Sequence, residues 1–258
     1  MMFMKKIDYD LHIHTEYCGH AKGMKVQDIC RQADEKQLRL IAITDHTYSI
    51  DEQAALDKIR RQVQQSKPNC RVLVGAEVDV DGVYSDGRLV VDDLTDLDLV
   101  IAGFHYVPTK GHYPRQPEDR GMAEEQFLEV WESSLYGIVS NSNIDILAHP
   151  ARLLATSVDL GSHFEYALSV FEKAAGLSAE NHIAWELNEL SFYRIPPSYK
   201  DQWYRIFQIA LDAGVKLVFG SDAHTPAAVG VSNNVQEVLK QLPQGCLSMP
   251  EDILGDRI

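Results

Sequence analysis

The histidines of this chain have the spacing of metal ligands. Seven of the ten lie at or just after the end of a short run rich in Val, Ile and Leu. In Asp10-Leu11-His12-Ile13-His14 two histidines stand two residues apart, and in a β-strand that spacing places both imidazoles on one face. Ser221-Asp222-Ala223-His224 has the same spacing with one carboxylate and one imidazole. Neutral imidazoles together with carboxylates suit zinc, iron or manganese, whereas shells of oxygen alone suit calcium or magnesium.

Nine residues at such positions are candidate metal ligands: His12, His14, His20, His46, Glu77, His105, His149, Asp222 and His224. A tetrahedral zinc ion takes three or four protein ligands, so nine candidates predict two or three ions. Glu77 offers two carboxylate oxygens and is the expected bridge between two ions. Cys18 lies between two of these histidines and is a further side chain that could touch a metal. His112, His163 and His182 fall in predicted loops or helix starts and are not counted as ligands.

Short apolar runs alternate with longer amphipathic stretches from end to end, which is the pattern of repeated βα units. The predicted strands are Ile7–His14, Leu38–His46, Arg71–Val80, Leu97–Tyr106, Ile144–His149, Ile183–Leu190 and Lys216–His224. The predicted helices are Lys25–Lys36, Asp51–Gln64, Met122–Val139, Phe164–Ala175, Tyr199–Ala213 and Val235–Gln241. No linker rich in Pro, Gly or Ser and no internal repeat divides this series, so a single domain over residues 1–258 is predicted.

The strands themselves indicate a parallel sheet. Leu40-Ile41-Ala42-Ile43 and Leu217-Val218-Phe219 are apolar without alternation, which suits strands covered on both faces. Seven strands followed mostly by helices favour a closed or nearly closed barrel of the TIM type over an open doubly wound sheet. The glycine-rich dinucleotide fingerprint that would support the open sheet is absent. In a parallel barrel the carboxyl ends of the strands meet at one rim, so the candidate ligands are expected to converge there.

The composition limits the kind of substrate. Of 258 residues, 24 are Lys or Arg and 38 are Asp or Glu, which gives a formal charge of −14. A protein this acidic is not expected to bind along a phosphate backbone, so long nucleic acid is excluded and a small substrate is favoured. No apolar stretch approaches about 18 residues and the four cysteines are scattered, so the sequence predicts a cytoplasmic protein without membrane contact.

Six motifs occur in order along residues 8 to 235: Asp10-Leu11-His12-Ile13-His14-Thr15, Thr44-Asp45-His46, Gly75-Ala76-Glu77-Val78, Phe104-His105, Ala148-His149-Pro150 and Ser221-Asp222-Ala223-His224. Together they resemble the PHP (polymerase and histidinol phosphatase) superfamily. The resemblance implies a distorted (β/α)7 barrel with a trinuclear metal centre on its C-terminal rim, and hydrolysis of phosphoesters. It also implies three ligand sets, which are His12, His14, Glu77 and Asp222 for one ion, Glu77, His105 and His149 for a second, and His20, His46 and His224 for a third.

A further part of the resemblance concerns the substrate phosphate. Glu186-Leu187-Asn188 followed by Arg194 is similar to the Glu-x-Asn…Arg segment of histidinol phosphatases, in which the arginine meets the phosphate. Here the arginine comes about one residue later, and larger side chains occupy the intervening turn. Arg152, which closely follows His149, is a second candidate because a guanidinium group can bind two phosphate oxygens at once.

These residues predict a metal-dependent phosphoesterase that acts on a small phosphomonoester, with histidinol phosphate as a candidate. A multinuclear centre of Zn, Fe or Mn lowers the pKa of a bound water towards neutrality and so supplies hydroxide as the nucleophile. Glu77 and Asp222 are expected to hold the ions that carry this hydroxide. Asp45, like Asp10, is expected to fix imidazoles by accepting hydrogen bonds from their ring nitrogens.

Three other functions fit parts of the same pattern. Phosphodiesterases or nucleotide phosphatases that act on short or cyclic nucleotides belong to the same superfamily, and the displaced Arg194 keeps this alternative open. An amidohydrolase-like enzyme also begins with two histidines on its first strand, but it normally brings a metal-bridging lysine where Glu77 stands here. A scaffold that binds metal only for its structure is disfavoured, because nine ligands exceed what such a site needs.

Overall fold

The structure is a computed structural model that describes residues 6–47, 53–81, 84, 86–91, 93–107, 123–157 and 160–258. Its strands are β1 (Tyr9–Ile13), β2 (Leu40–Thr47), β3 (Arg71–Asp79), β4 (Val100–Gly103), β5 (Ile146–Leu147), β6 (Ala184–Asn188) and β7 (Leu217–Gly220). Its α-helices are α1 (Val26–Glu35), α2 (Gln53–Ser66), α3 (Glu124–Val139), α4 (Arg152–Ser157), α5 (Leu160–Glu180), α6 (Pro197–Lys200), α7 (Tyr204–Asp212), α8 (Asn233–Leu239) and α9 (Glu251–Leu254). His112 lies outside the described residues.

All seven strands belong to one sheet. They lie in the order β1-β2-β3-β4-β5-β6-β7, and each neighbouring pair is parallel. Helices cover the outer face of the sheet, as alternating strands and helices require. The predicted fold class, a distorted TIM-like (β/α)7 barrel, is confirmed.

The barrel closes along a seam between β1 and β7. Near the carboxyl ends of these strands, the amide of Asp222 donates to the carbonyl oxygen of His12 at 2.8 Å. Further down the seam a side chain replaces part of the strand pairing. The Tyr9 hydroxyl accepts a hydrogen bond from the Phe219 amide at 3.3 Å and donates to the Ser248 carbonyl oxygen at 2.6 Å. The barrel is therefore nearly closed, and its irregular seam ends next to the rim that carries the histidines.

The apolar sequence of the strands reflects their burial on both faces. Every residue of β2 is buried, and so is every residue of β6. The helices are amphipathic in the matching way: α1 buries Val26, Ile29, Cys30 and Ala33, which share one helical face. Within the part of the chain that the structure describes, no helix is both long enough and apolar enough to cross a bilayer.

Two helical segments near the carboxyl rim differ from the prediction. No helix is predicted directly after His149, but α4 begins there at Arg152. Leu190–Arg194 forms a short 3₁₀ helix after β6. Helices of one or two turns are too short to establish an apolar period, which is why the sequence pattern did not indicate them. Both segments carry an arginine that was expected to bind substrate.

Gly176 lies inside α5, where nothing around it requires a glycine. A methyl group added at this position would find no atom within 4 Å. Because alanine loses less conformational freedom than glycine on folding, we expect Gly176→Ala to raise the free energy of unfolding by about 0.5–1 kcal/mol. For a chain of this size that corresponds to a rise in Tm of about 1–4 °C. Thermal unfolding followed by circular dichroism checks this, and a lower Tm would contradict it.

Candidate metal centre

The strand ends bring the nine predicted ligands to one rim of the barrel. His12 lies in β1, His46 in β2 and Glu77 in β3, and the parallel register of β2 and β3 places His46 opposite Glu77. The other six follow the ends of strands or lie in the turns beyond them: His14, His20, His105, His149, Asp222 and His224. His20 is exposed, His105 and His224 are half-buried, and the remaining ligands are buried.

Glu77 lies at the centre of the rim. Its Oε2 is 3.0 Å from Nδ1 of His46 and 3.2 Å from Nε2 of His12. Its Oε1 is 2.9 Å from Nε2 of His149 and 3.2 Å from Nε2 of His105. The two oxygens of one carboxylate therefore face two different sets of imidazoles, which is the arrangement expected of a group that bridges two ions.

Asp222 completes the set around β1. Its Oδ1 lies 3.1 Å from Nε2 of His14 and 3.9 Å from Nε2 of His12, and these two imidazole nitrogens are only 3.1 Å apart. Nε2 of His14 also lies 3.5 Å from Oε2 of Glu77. Two nitrogens and two carboxylate oxygens thus point into one small space at the end of the seam.

A third group of candidate ligands lies on the same rim. Ligand atoms of His20, His46 and His224 all lie within 4.8 Å of one another. Cys18 forms a group with His14 and His224 under the same limit, so it does come close to this part of the rim. The three groups around Glu77, Asp222 and His20 contain the residues that the resemblance to the PHP superfamily assigns to three ions.

The contacts at the rim set the charges of its groups. Burial raises the pKa of the Glu77 carboxyl, but the imidazoles of His46 and His12 hold it well below its usual value. The pKa of Asp222 is also lowered, because its contacts with His12 and His14 outweigh the effect of burial. Burial lowers the pKa of His14 to about 3, so this imidazole is neutral. Ionised carboxylates and neutral imidazoles are the forms that bind metal ions.

Two buried carboxylates that the sequence analysis did not assign contact the ligand imidazoles. Oδ1 of Asp79 lies 2.5 Å from Nδ1 of His105, and Oε1 of Glu186 lies 2.8 Å from Nδ1 of His12. An ionised carboxylate only accepts, so Nδ1 of each ring carries a proton. Burial lowers the pKa of both imidazoles, but the surrounding carboxylates raise it above its usual value, to about 9 for His105. A bound metal ion would replace the second proton at Nε2. Spacing could have indicated Asp79, since it stands two residues after Glu77 in the same strand and shares its face.

The aspartates that were expected to fix imidazoles bind the backbone instead. Asp45 accepts hydrogen bonds from the amide of Thr15, at 2.5 Å, and from its hydroxyl, while Nδ1 of His14 is 3.9 Å away. Asp10 accepts from the amide of Ser221 at 2.9 Å. The expectation for both residues is therefore corrected. They hold the chain around β1 in place, and the imidazoles depend on other carboxylates.

Gly103 makes the crowding around Glu77 possible. A Cβ atom at this position would lie 2.8 Å from Oε1 of Glu77 and 2.6 Å from Cε1 of His105. Both distances are shorter than real Cβ contacts, so any larger residue at the end of β4 would displace one of these two side chains. The glycine at this strand end is thus part of how the sequence positions the rim.

One cavity of about 350 Å³ opens over the rim. Its lining residues are His20, His46, Glu77, His105, Tyr106, Arg152, Leu190, Arg194, Asp222 and His224. Both arginines predicted to bind substrate therefore face the same space as the candidate ligands. Burial and the neighbouring Arg152 lower the pKa of the Arg194 guanidinium. Two cations that disfavour each other within one cavity are stabilised by an anion between them.

The fold and the rim together define a β/α barrel whose C-terminal rim carries groups able to bind metal ions. The sequence model of the PHP domain family matches residues 10–190 of this chain. The chain therefore belongs to the PHP family, and the resemblance found in its motifs is confirmed.

Known proteins resemble this chain in sequence or in fold. A protein of Proteus mirabilis named a probable phosphatase is 27% identical over 239 residues, which cover 90% of this chain and 85% of that protein. The structure of a histidinol phosphate phosphatase of Lactococcus lactis is complexed with zinc, L-histidinol and phosphate. It matches this structure with a TM-score of 0.66 at 16% identity, and the match covers 92% of this chain and 94% of that chain. A candidate histidinol phosphatase of Listeria monocytogenes has a TM-score of 0.67 at 16% identity, with 88% and 99% covered. These two structures share the barrel fold.

Proposed function

We propose that the protein is a metal-dependent phosphatase that hydrolyses a small phosphomonoester, with histidinol phosphate as the first candidate. One observation carries this proposal: Glu77 and Asp222 line the same cavity as Arg152 and Arg194. Metal ions polarise a phosphoester and guanidinium groups bind its oxygens, so a cavity that offers both suits phosphoryl chemistry. The PHP family and the relative named as a phosphatase support the same class of enzyme.

The donor groups of the rim fit zinc, manganese or iron. Nε2 of His12 and Nε2 of His14 lie 3.1 Å apart in a buried space, beside carboxylate oxygens of Glu77 and Asp222. Lone pairs brought this close repel one another unless a proton or a cation lies between them, and imidazole with carboxylate is a donor set that these metals accept. Two or three bound ions would lower the pKa of a water so that hydroxide is supplied near neutral pH.

The proposed ligands of each ion come from the ends of different strands. We assign the first ion to His12, His14, Glu77 and Asp222, the second to Glu77, His105 and His149, and the third to His20, His46 and His224. Oε1 of Glu77 faces His149 of the second set, and Oε2 faces His12 of the first set and His46 of the third, so this carboxylate ties the positions of the sets together. The rigid strand ends hold these side chains ready before substrate enters.

Different side chains of the cavity would bind different parts of the substrate. Arg152 at the start of α4 and Arg194 at the end of the 3₁₀ helix would bind the phosphate oxygens and orient the ester towards the rim. Tyr106 and Leu190 line the same cavity and would contact the organic part of the substrate. A volume of about 350 Å³ suits a molecule of the size of histidinol phosphate or a nucleotide.

Phosphate release from a panel of esters tests the proposal. The protein is loaded with zinc or manganese and assayed with histidinol phosphate, nucleoside monophosphates, nucleoside bisphosphates and a chromogenic phosphodiester. Histidinol phosphate heads the panel because the Lactococcus lactis relative is complexed with zinc, L-histidinol and phosphate. We expect a monoester to be preferred, with kcat/KM of about 10⁴ M⁻¹s⁻¹ or above for the true substrate. No phosphate release from any ester by the metal-loaded protein would contradict the proposal.

The same panel separates the alternatives. Preference for the diester or for nucleotides would move the function to nucleotide turnover. Inactivity on every phosphate would favour an amidohydrolase-like reaction, although no lysine lines the cavity among the residues that the structure describes. Binding of metal without any turnover would favour a scaffold.

Arg152→Gln and Arg194→Gln are each expected to lower kcat/KM by about 10- to 100-fold, mainly through a higher KM. Hydrogen bonds to a charged partner contribute about 1.5–3 kcal/mol, and 1.36 kcal/mol corresponds to a factor of ten. Arg31→Gln, on the exposed face of α1, is the control and should keep wild-type kinetics. If both cavity variants kept the wild-type KM, the arginines would not bind the phosphate.

A further inference from the structure

Glu186 is a buried carboxylate that contacts two elements of the rim at once. It lies in β6 and is 1% exposed. Its Oε1 is 2.8 Å from Nδ1 of His12, which belongs to β1. Its Oε2 accepts a hydrogen bond from the backbone amide of His149, which follows β5, at 2.9 Å. One side chain therefore joins candidate ligands that come from opposite sides of its own strand.

The path from β6 to β1 crosses β7, and the sequence leaves room for it there. β7 pairs with β6, and its last residue, Gly220, stands opposite Asn188. A Cβ atom at Gly220 would lie 1.9 Å from Oε1 of Glu186 and 2.6 Å from Cβ of His12. Only glycine lets the carboxylate pass over β7 and reach the imidazole. The contact between Glu186 and His12 is thus supported by a second position of the chain.

The contact with His149 fixes an unusual backbone. His149 has a φ of +31°, a conformation that residues other than glycine adopt only when their surroundings hold them in it. The amide of this residue is the one that donates to Glu186. In this conformation Nε2 of His149 lies 2.9 Å from Oε1 of Glu77. Glu186 therefore helps to keep this imidazole directed at the centre of the rim.

Asn188 extends the network to the phosphate side of the cavity. Its Nδ2 donates to Oε2 of Glu186 at 3.0 Å and lies 3.4 Å from Oδ2 of Asp222. Its Oδ1 accepts from the amide of Ser191 at 2.7 Å, at the start of the 3₁₀ helix that ends at Arg194. The asparagine that donates to Glu186 thus also orders, through its own oxygen, the turn that carries Arg194.

We propose that Glu186 is the positioning residue of the metal centre. It holds His12 in the tautomer whose Nε2 is free to bind metal, and it holds the backbone of His149 in the conformation that directs this imidazole at Glu77. Glu186 is not a ligand in this role, because both of its oxygens are occupied by hydrogen bonds from protein groups. This inference rests on the proposed function only in its expected effect on kcat, because the expected effect on zinc affinity requires no substrate.

Glu186→Gln tests the role with little change of shape. A glutamine amide has one oxygen, which accepts, and one NH2 group, which only donates. It therefore cannot accept hydrogen bonds from both the ring of His12 and the backbone amide of His149. We expect the zinc affinity of the apoprotein, measured by competition with a coloured chelator, to fall about 10- to 100-fold. In the metal-loaded enzyme kcat should fall while KM stays near the wild-type value, because Glu186 does not touch the arginines directly.

Glu189→Gln is the matched control. Glu189 is also a buried glutamate and directly follows β6, but it accepts from the amides of Asn234 and Val235 at the start of α8, at 2.9 Å and 3.0 Å. We expect this variant to lose thermal stability and to keep wild-type zinc affinity. If both glutamine variants lost only stability, Glu186 would have a merely structural role and the proposal would be overturned.

Two further measurements test the proposal without the Glu186→Gln variant. Gly220→Ala leaves Glu186 unchanged but blocks its path to His12, and it should weaken zinc binding in the same way. In the zinc-loaded wild type, nitrogen NMR of the histidine rings should show His12 protonated at Nδ1 and bound through Nε2. The opposite tautomer would overturn the proposal. Zinc affinity and ring signals require no substrate, so a failure of the phosphatase assay and a failure of this inference remain distinguishable.

Discussion

Glu77→Gln is expected to lower kcat/KM for phosphate release by about 10³-fold or more. The two oxygens of Glu77 face imidazoles of two proposed ligand sets, at 3.2 Å from Nε2 of His12 and 2.9 Å from Nε2 of His149. Glutamine keeps the length of the side chain but has no charge, and its NH2 group cannot bind metal on one of the two sides. A metal ion contributes several kcal/mol to the transition state, and about 4 kcal/mol corresponds to a factor of 10³.

A control variant separates this effect from the general cost of removing a carboxylate. Glu180 is exposed at the end of α5, and Glu180→Gln should keep wild-type kinetics. Elemental analysis of the Glu77→Gln protein should also find less metal per chain than in the wild type. If the variant kept more than a tenth of the wild-type activity with full metal content, Glu77 would not bridge the ions.

The sequence predicted the barrel because its strands are apolar on both faces and end at histidines. β2 and β7 are recognisable from unbroken apolar runs, since parallel strands are buried on both sides. The spacing of two between His12 and His14 predicted that both would share a face, and both contact Asp222 in the structure. The spacing of residues within the strands and the positions of the strand ends were therefore sufficient to predict that the candidate ligands share one rim.

Roles that depend on contacts between distant strands could not be predicted from the sequence. Glu186 reaches His12 across β7, a separation of 174 residues, and no local pattern expresses such a contact. Asp45 stands next to a candidate ligand in sequence, yet its carboxylate turns to Thr15. Neighbours in sequence along a strand point to opposite faces, so adjacency predicted the wrong partner for this residue.

Removal of metal ions is expected to lower the Tm of the protein by about 8–16 °C for each tight site that is emptied. At a metal concentration of a thousand times Kd, binding to the folded state alone stabilises it by about 4 kcal/mol. Each kcal/mol shifts the Tm of a chain of this size by about 2–4 °C. The buried carboxylates of Glu77 and Asp222 and the close nitrogens of His12 and His14 would then lose the cations that offset their repulsion.

Thermal unfolding of the same preparation with excess chelator, and again after zinc or manganese is restored, measures this shift. The Glu77→Gln variant provides the matched comparison, because it should gain much less Tm from metal than the wild type, while Glu180→Gln should gain as much. An equal gain in Glu77→Gln and the wild type would place the stabilising ions away from this rim. Identical Tm values with and without chelator, in a protein shown to contain metal, would mean that the rim is held by its own hydrogen bonds. In that case the ions would contribute to catalysis without contributing to folding, and the carboxylates of Glu186 and Asp79 would be sufficient to hold His12 and His105 in place.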